Sequence, residues 1–115
     1  MAVTLDTSRR ATRLADWPAS ERPRERLIAH GAATLTDAEL LSVVLGTGTP
    51  GASALDIARD LLGRHRGLSG LVAQPTARLA GTRGLGPSKA TQIKAGIELA
   101  RRLLREEVTH GSALT

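Results

Sequence analysis

With 115 residues the chain holds material for one domain, and its 41% hydrophobic content must be met by Leu, Ala, Val and Ile, since Phe and Tyr are absent and Trp occurs once. The absence of Cys excludes disulfides, thiolate zinc sites and cysteine nucleophiles, and no run approaches the ~20 apolar residues of a membrane span. The net charge of +5 is uneven: residues 1–36 carry six Arg against four acids, residues 37–75 three against four, and residues 76–115 seven basic residues against three. An electropositive C-terminal third is the usual footprint of a polyanion partner; an Arg-rich surface that serves solubility is the plainer alternative.

Residues 1–17 are polar and Arg-rich without the apolar middle of a secretory signal, and read as a flexible N-terminal segment. Trp17 is expected as a hydrophobic lid on the domain that follows, 18–107. The first helix should run over 23–30, with Pro23 in its first turn and Gly31 as its stop. A second helix begins behind Thr36-Asp37-Ala38-Glu39, a capping box in which the Thr and Glu side chains each satisfy a free backbone N–H. Leu40, Leu41, Val44 and Leu45 give it an apolar face. After Gly46-Thr47-Gly48-Thr49-Pro50-Gly51 a third helix starts near Ser53, where Ser53 and Asp56 repeat the box, with Leu55, Ala58, Leu61 and Leu62 facing the core. Leu68, Leu71 and Val72 suit a short helical turn, and a brief helix is expected over 75–80. The longest helix, 88–107, follows Gly84-Leu85-Gly86-Pro87, and its apolar positions Ala90, Ile93, Ile97, Ala100 and Leu104 recur at helical spacing. Lys94–Glu98 and Glu98–Arg102 are expected as ion pairs on its outer side, and 108–115 as a frayed tail or the start of a linker. The expected fold is all-α: about five helices forming two helix-hairpin-helix units around one small aliphatic core, with Gly46 and Gly84 in equivalent places.

Function is sought in the two glycine turns. In Gly84-Leu85-Gly86-Pro87-Ser88-Lys89 the alternate glycines permit positive φ, Leu85 can anchor the turn, and Pro87 opens a helix whose early N–H groups point outward at its positive dipole end. Arg83, Gly84, Leu85, Gly86, Ser88, Lys89 and Lys94 are therefore candidate contacts to a phosphodiester backbone. Gly46, Thr47, Gly48 and Thr49 are candidates in the first turn. That turn also matches G-x-G-x-x-G, so a dinucleotide-binding fragment is a rival; against it stand the helix cap at Thr36 and the want of a second and third strand. No catalytic or metal site is expected, because His30, His65 and His110 are scattered and belong to no ligand spacing. Asp56 and Asp60, with Arg59 and Arg64 close by, read as a solvated face. No cofactor, small-molecule substrate or membrane partner is expected.

The series Pro23-Arg24-Glu25-Arg26-Leu27, Gly31-Ala32, Leu35-Thr36-Asp37-Ala38-Glu39-Leu40-Leu41, Gly48-Thr49 and Gly84-Leu85-Gly86-Pro87-Ser88-Lys89-Ala90 resembles the N-terminal domain of RadC-family proteins over roughly residues 18–106. The resemblance implies a helix-hairpin-helix DNA-binding region linked to DNA repair. Family members usually continue into a domain resembling JAMM-type zinc metalloproteases, with an H-x-H and a downstream Asp as ligands. Those ligands are missing from this chain, so zinc chemistry does not carry over and no enzyme activity is expected. The sequence reading is thus a DNA-backbone module without base readout, cytoplasmic and nucleoid-associated when bound, with a protein-interaction adaptor as the alternative.

Overall fold

Arg22 is extended and Pro23, which has no N–H to lose, opens helix α1 (Pro23–His30); the computed structural model describes residues 22–109. Gly31 ends α1 at φ 89°, its N–H donating to the Leu27 carbonyl at 2.8 Å. A single 3₁₀ turn, Ala32–Thr34, leads to α2 (Asp37–Leu45). The capping box forms as expected: the Glu39 N–H donates to Thr36 Oγ1 at 3.2 Å and the Thr36 N–H to Glu39 Oε1 at 2.9 Å. The Arg26 guanidinium closes on the other Glu39 oxygen and joins α1 to α2. The Thr36 N–H, with Arg26 adding to it against the cost of burial, holds the Glu39 carboxyl below the ordinary glutamate range.

The second box caps α3 (Ala54–Arg64), with Ser53 N–H to Asp56 Oδ2 at 3.0 Å and Asp56 N–H to Ser53 Oγ at 3.1 Å. Two short helices follow, α4 (Leu68–Val72) and α5 (Thr76–Ala80), before α6 (Gly86–Thr109). The described residues thus form six α-helices and no β-strand, the single bridge between Thr49 and Ala52 aside. The fold is all-α. The helix beyond the five expected is α4, the turn that Leu68, Leu71 and Val72 suggested.

α2 packs against α3 and α5 against α6, in each case chain neighbours joined by a glycine turn. Both pairs contribute to one core: Leu41 and Leu45 from α2, Ile57, Ala58 and Leu61 from α3, Leu71 from α4, Leu79 from α5, Leu85 from the turn before α6, and Ala90 and Ile93 from the start of α6. Leu61 and Leu79 are wholly buried. The face expected for α3 is confirmed at Leu55, Ala58 and Leu61, while Leu62 is half-buried and Ile57, not expected, is in the core. On α2 the expected Leu41 and Leu45 are buried, together with Ser42, while Leu40 is half-buried and Val44 half exposed.

The larger correction concerns α6. Its apolar face is buried only at Ala90 and Ile93 and half-buried at Ile97; Ala100 is exposed and Leu104 is 60% exposed. The reason is length. At 1.5 Å per residue α6 runs about 36 Å, whereas its partner α5 runs under ~10 Å, so the second half of α6 passes beyond the body. The expected Lys94–Glu98 pair is also absent: Glu98 takes Arg101, Arg102 and Arg105, and Lys94 turns inward. α6 continues to Thr109, two residues past the expected end. Trp17, the segment 1–17 and the remaining tail 110–115 lie outside the described residues.

Candidate nucleic-acid interface

The first turn spends most of its backbone donors on itself. Gly46, at φ 80°, donates to Ser42 O at 3.0 Å; Thr47 donates to Leu45 O at 3.0 Å; Thr49 and Ala52 bond each other reciprocally at 2.9 and 3.1 Å. Gly48 lies hard against the backbone that opens α3, where a Cβ would meet the Ala52 carbonyl oxygen at 2.1 Å. Its want of a side chain therefore serves closure of the loop, not approach of a ligand. Gly46, Thr47 and Thr49 have no spare N–H for a phosphate.

The second turn is different. Leu85 buries its side chain and donates its N–H to Thr82 O at 3.1 Å, which pins the turn to the core. Gly84 sits at φ 88°, where an added Cβ would meet the Ile57 side chain at 3.2 Å, and Gly86 at φ 72° with open space where a Cβ would be. The N–H groups of Gly84, Gly86 and Ser88 donate to no acceptor among the described residues, and Pro87 has none to give. Three donors without a partner among the described residues therefore lie at and just before the start of a 24-residue helix, where the helix dipole favours an anion. Arg83 and Ser88 stand exposed beside them. Gly46 and Gly84, expected in equivalent places, share a positive φ, whereas Gly48 and Gly86 have unlike surroundings.

Lys89 brings the two turns together. Its ammonium donates to Leu45 O at 2.7 Å, Thr47 O at 2.7 Å and Thr47 Oγ1 at 3.2 Å. An ammonium has three donors, and all three are taken. The expectation that Lys89 offers itself to a phosphate is revised accordingly: it caps the C-terminal carbonyls of α2 and clamps the first turn to α6. Lys94 is similar, donating to Val72 O at 3.1 Å and Gln74 O at 2.9 Å at the end of α4, with one donor left. An early-helix lysine after a glycine turn reads as an anion ligand; its true acceptors were invisible because they lie 42–44 residues away in the chain.

Beside the clamp, between the turns, opens a cleft of about 450 Å³ lined by Thr49, Pro50, Asp56, Asp60, Arg64 and Arg83 among others. Sequence reasoning passed over Asp56, Asp60 and Arg64 as a solvated face. Asp60 and Arg64 do pair, at 2.8 Å, yet they border this cleft, a position that only the packing of α3 against the second turn reveals. Among the described residues no group of three or more His, Asp or Glu could hold a metal ion, and no helix is long and apolar enough to cross a membrane.

Residues 14–91 match the model of the UPF0758 N-terminal family. A UPF0758 protein of Nitrosospira multiformis is 48% identical over 101 residues, covering 88% of this chain and 45% of that protein. One of Stenotrophomonas maltophilia is 50% identical over 99 residues, covering 86% of this chain and 42% of that protein. The chain thus spans less than half the length of these curated relatives. No solved structure matches it. By the family match over most of its length, the chain belongs to the UPF0758 family, through the family's N-terminal domain.

Proposed function

We propose that this domain is a sequence-nonspecific nucleic-acid-binding module of the helix-hairpin-helix kind, which grips the phosphate backbone of DNA at the second glycine turn. One observation carries the reading: the Gly84, Gly86 and Ser88 N–H groups, at and just before the N-terminus of α6, donate to no acceptor among the described residues. Contacts from backbone donors to phosphate position a duplex without carrying sequence information, so affinity without sequence preference follows. Arg83 supplies exposed charge beside the donors. Lys94, with one free donor, adds charge from a fixed place; Lys89 and the first turn hold the geometry. The resemblance to RadC-family proteins supports a link to DNA repair or recombination. It belongs to the longer proteins as much as to this domain.

The test is a binding titration against labelled duplex, single-stranded and branched DNA. Arg83→Ala should weaken binding to every sequence alike and reduce the salt slope by about 1, as loss of one phosphate contact does. Gly86→Ala adds a methyl where the phosphate approaches and strains φ, so binding should fall at least ~10-fold for a stability cost near ~1 kcal/mol. If both variants fold and bind like the parent, the turn is only a connection.

A second reading has its own observation. The cleft between the turns mixes Asp56 and Asp60 with Arg64 and Arg83, and carboxylates repel a polyanion. That arrangement suits a protein partner with mixed charge, and an adaptor role becomes the better account if no nucleic acid binds.

A further inference from the structure

Helix α1 has little of its own to hold it. At eight residues it is too short to persist without packing, and Pro23 is its one buried residue. Leu27 is half-buried, Ile28 is exposed, and the Arg26–Glu39 pair ties α1 to α2. Between the start of α1 and the end of α2 opens a groove of about 330 Å³. Ser42 and Gly46, one turn apart, give it a recess, with nothing within 4 Å of where a Gly46 Cβ would be. Pro23 and Val43 add apolar walls. The Ser42 hydroxyl already donates to the Glu39 carbonyl at 2.6 Å. Glu25, also on the wall, sets one carboxylate oxygen 3.5 Å from Arg22. Its other oxygen, Oε2, is buried and accepts from no donor among the described residues. A buried acceptor left open is costly, so the groove suits an occupant with an apolar body and one donor.

We infer that this groove is the docking site of Trp17, whose indole fills the recess and donates its N–H to Glu25 Oε2. Three features point to this residue. Trp17 is the sole aromatic residue of the chain, and an indole joins a flat apolar body to a single N–H that takes an acceptor when buried. A groove of this volume, at the small end of ligand pockets, has room for one bicyclic ring. Trp17 also stands five positions before Arg22, which borders the groove, a reach of up to ~17 Å. Pro18 between them suits the second place of a turn that brings the chain back. The family match begins at residue 14, so Trp17 belongs to the same family domain as α1 and α2. Docking there gives α1 the apolar packing that its own sequence lacks.

The experiment is fluorescence of the full chain without DNA, so it fails or succeeds independently of the binding proposal. With no Tyr or Phe in the sequence, the emission and the near-ultraviolet dichroism report Trp17 alone. The expected result is emission to the blue of its position in denaturant, with weak quenching by acrylamide. Val43→Glu, which places a charge in the groove, should return the emission to its denatured position while far-ultraviolet dichroism shows the helices intact. Val44→Glu, at a half-exposed neighbour outside the groove, should leave the emission unchanged. Trp17→Ala should lower the melting temperature by roughly 10 °C and speed amide exchange in α1 at least ~10-fold, ahead of the other helices. Parent emission already at the denatured position would overturn the inference and leave the groove to a partner that brings its own donor. Blue-shifted emission indifferent to Val43→Glu would overturn it as well, because Trp17 would then be buried elsewhere.

Discussion

Replacing Lys89 by Met separates two accounts of the most prominent basic residue in the second turn. In the structure its ammonium satisfies Leu45 O, Thr47 O and Thr47 Oγ1 and stands at the C-terminal end of α2. Met keeps the apolar stem and removes the charge and the donors. Each charge-assisted hydrogen bond contributes about 1.5–3 kcal/mol when shielded, and the helix-end charge adds ~0.3–1 kcal/mol. Lys89 is half-buried but Thr47 is exposed, so water can replace part of what is lost. A net cost of about 2–3 kcal/mol is therefore expected. For a domain of this size that lowers the melting temperature by roughly 10–20 °C, read by circular dichroism at 222 nm. Binding measured on folded variant at low temperature should fall far less than stability does. A melting temperature within ~2 °C of the parent, together with a large loss of DNA affinity, would refute the clamp and restore Lys89 as a phosphate ligand.

Three further outcomes follow from particular contacts. Gly48→Ala should destabilise by several kcal/mol or rearrange the first turn, because its methyl would meet the Ala52 oxygen at 2.1 Å, whereas Gly51→Ala, with nothing within 4 Å, should cost under ~1 kcal/mol; chemical denaturation compares them. Leu79→Ala, at a wholly buried position shared by both helix pairs, should cost about 2–5 kcal/mol in the same assay. The Glu39 carboxyl is held below its ordinary value of 4.5, first by the Thr36 N–H and then with Arg26 opposing desolvation. A depressed folded value means that its stabilisation is complete above about 4.5 and lost as pH falls through the folded value. Acid titration of the melting temperature should therefore show a loss below pH 4.5 that Glu39→Gln largely removes.

Local chemistry was legible in the sequence wherever the responsible residues are neighbours. The Thr36/Glu39 and Ser53/Asp56 boxes, the Pro23 start and the Gly31 stop are decided within four residues, and each forms as the pattern implied. The positive φ of Gly84 and Gly86 and the burial of Leu85 were likewise readable from one short motif. What escaped is set by packing between distant segments. The α6 periodicity could not say where the body ends, so Ala100 and Leu104 looked like core. Lys89 and Lys94 could not reveal their carbonyl partners on other helices. Gly48 and Gly86 look alike in sequence, and only the backbone of α3 beside one of them makes their roles differ.

The most direct test of the central claim is the salt dependence of binding by the parent chain on several unrelated duplex sequences. Backbone contact through the second turn and Arg83 engages few phosphates, so the slope of log affinity against log salt should be roughly −2 to −4. Affinities for different sequences should agree within ~3-fold. No detectable binding at about 50 mM salt and ~100 μM protein, or binding insensitive to salt, would contradict it.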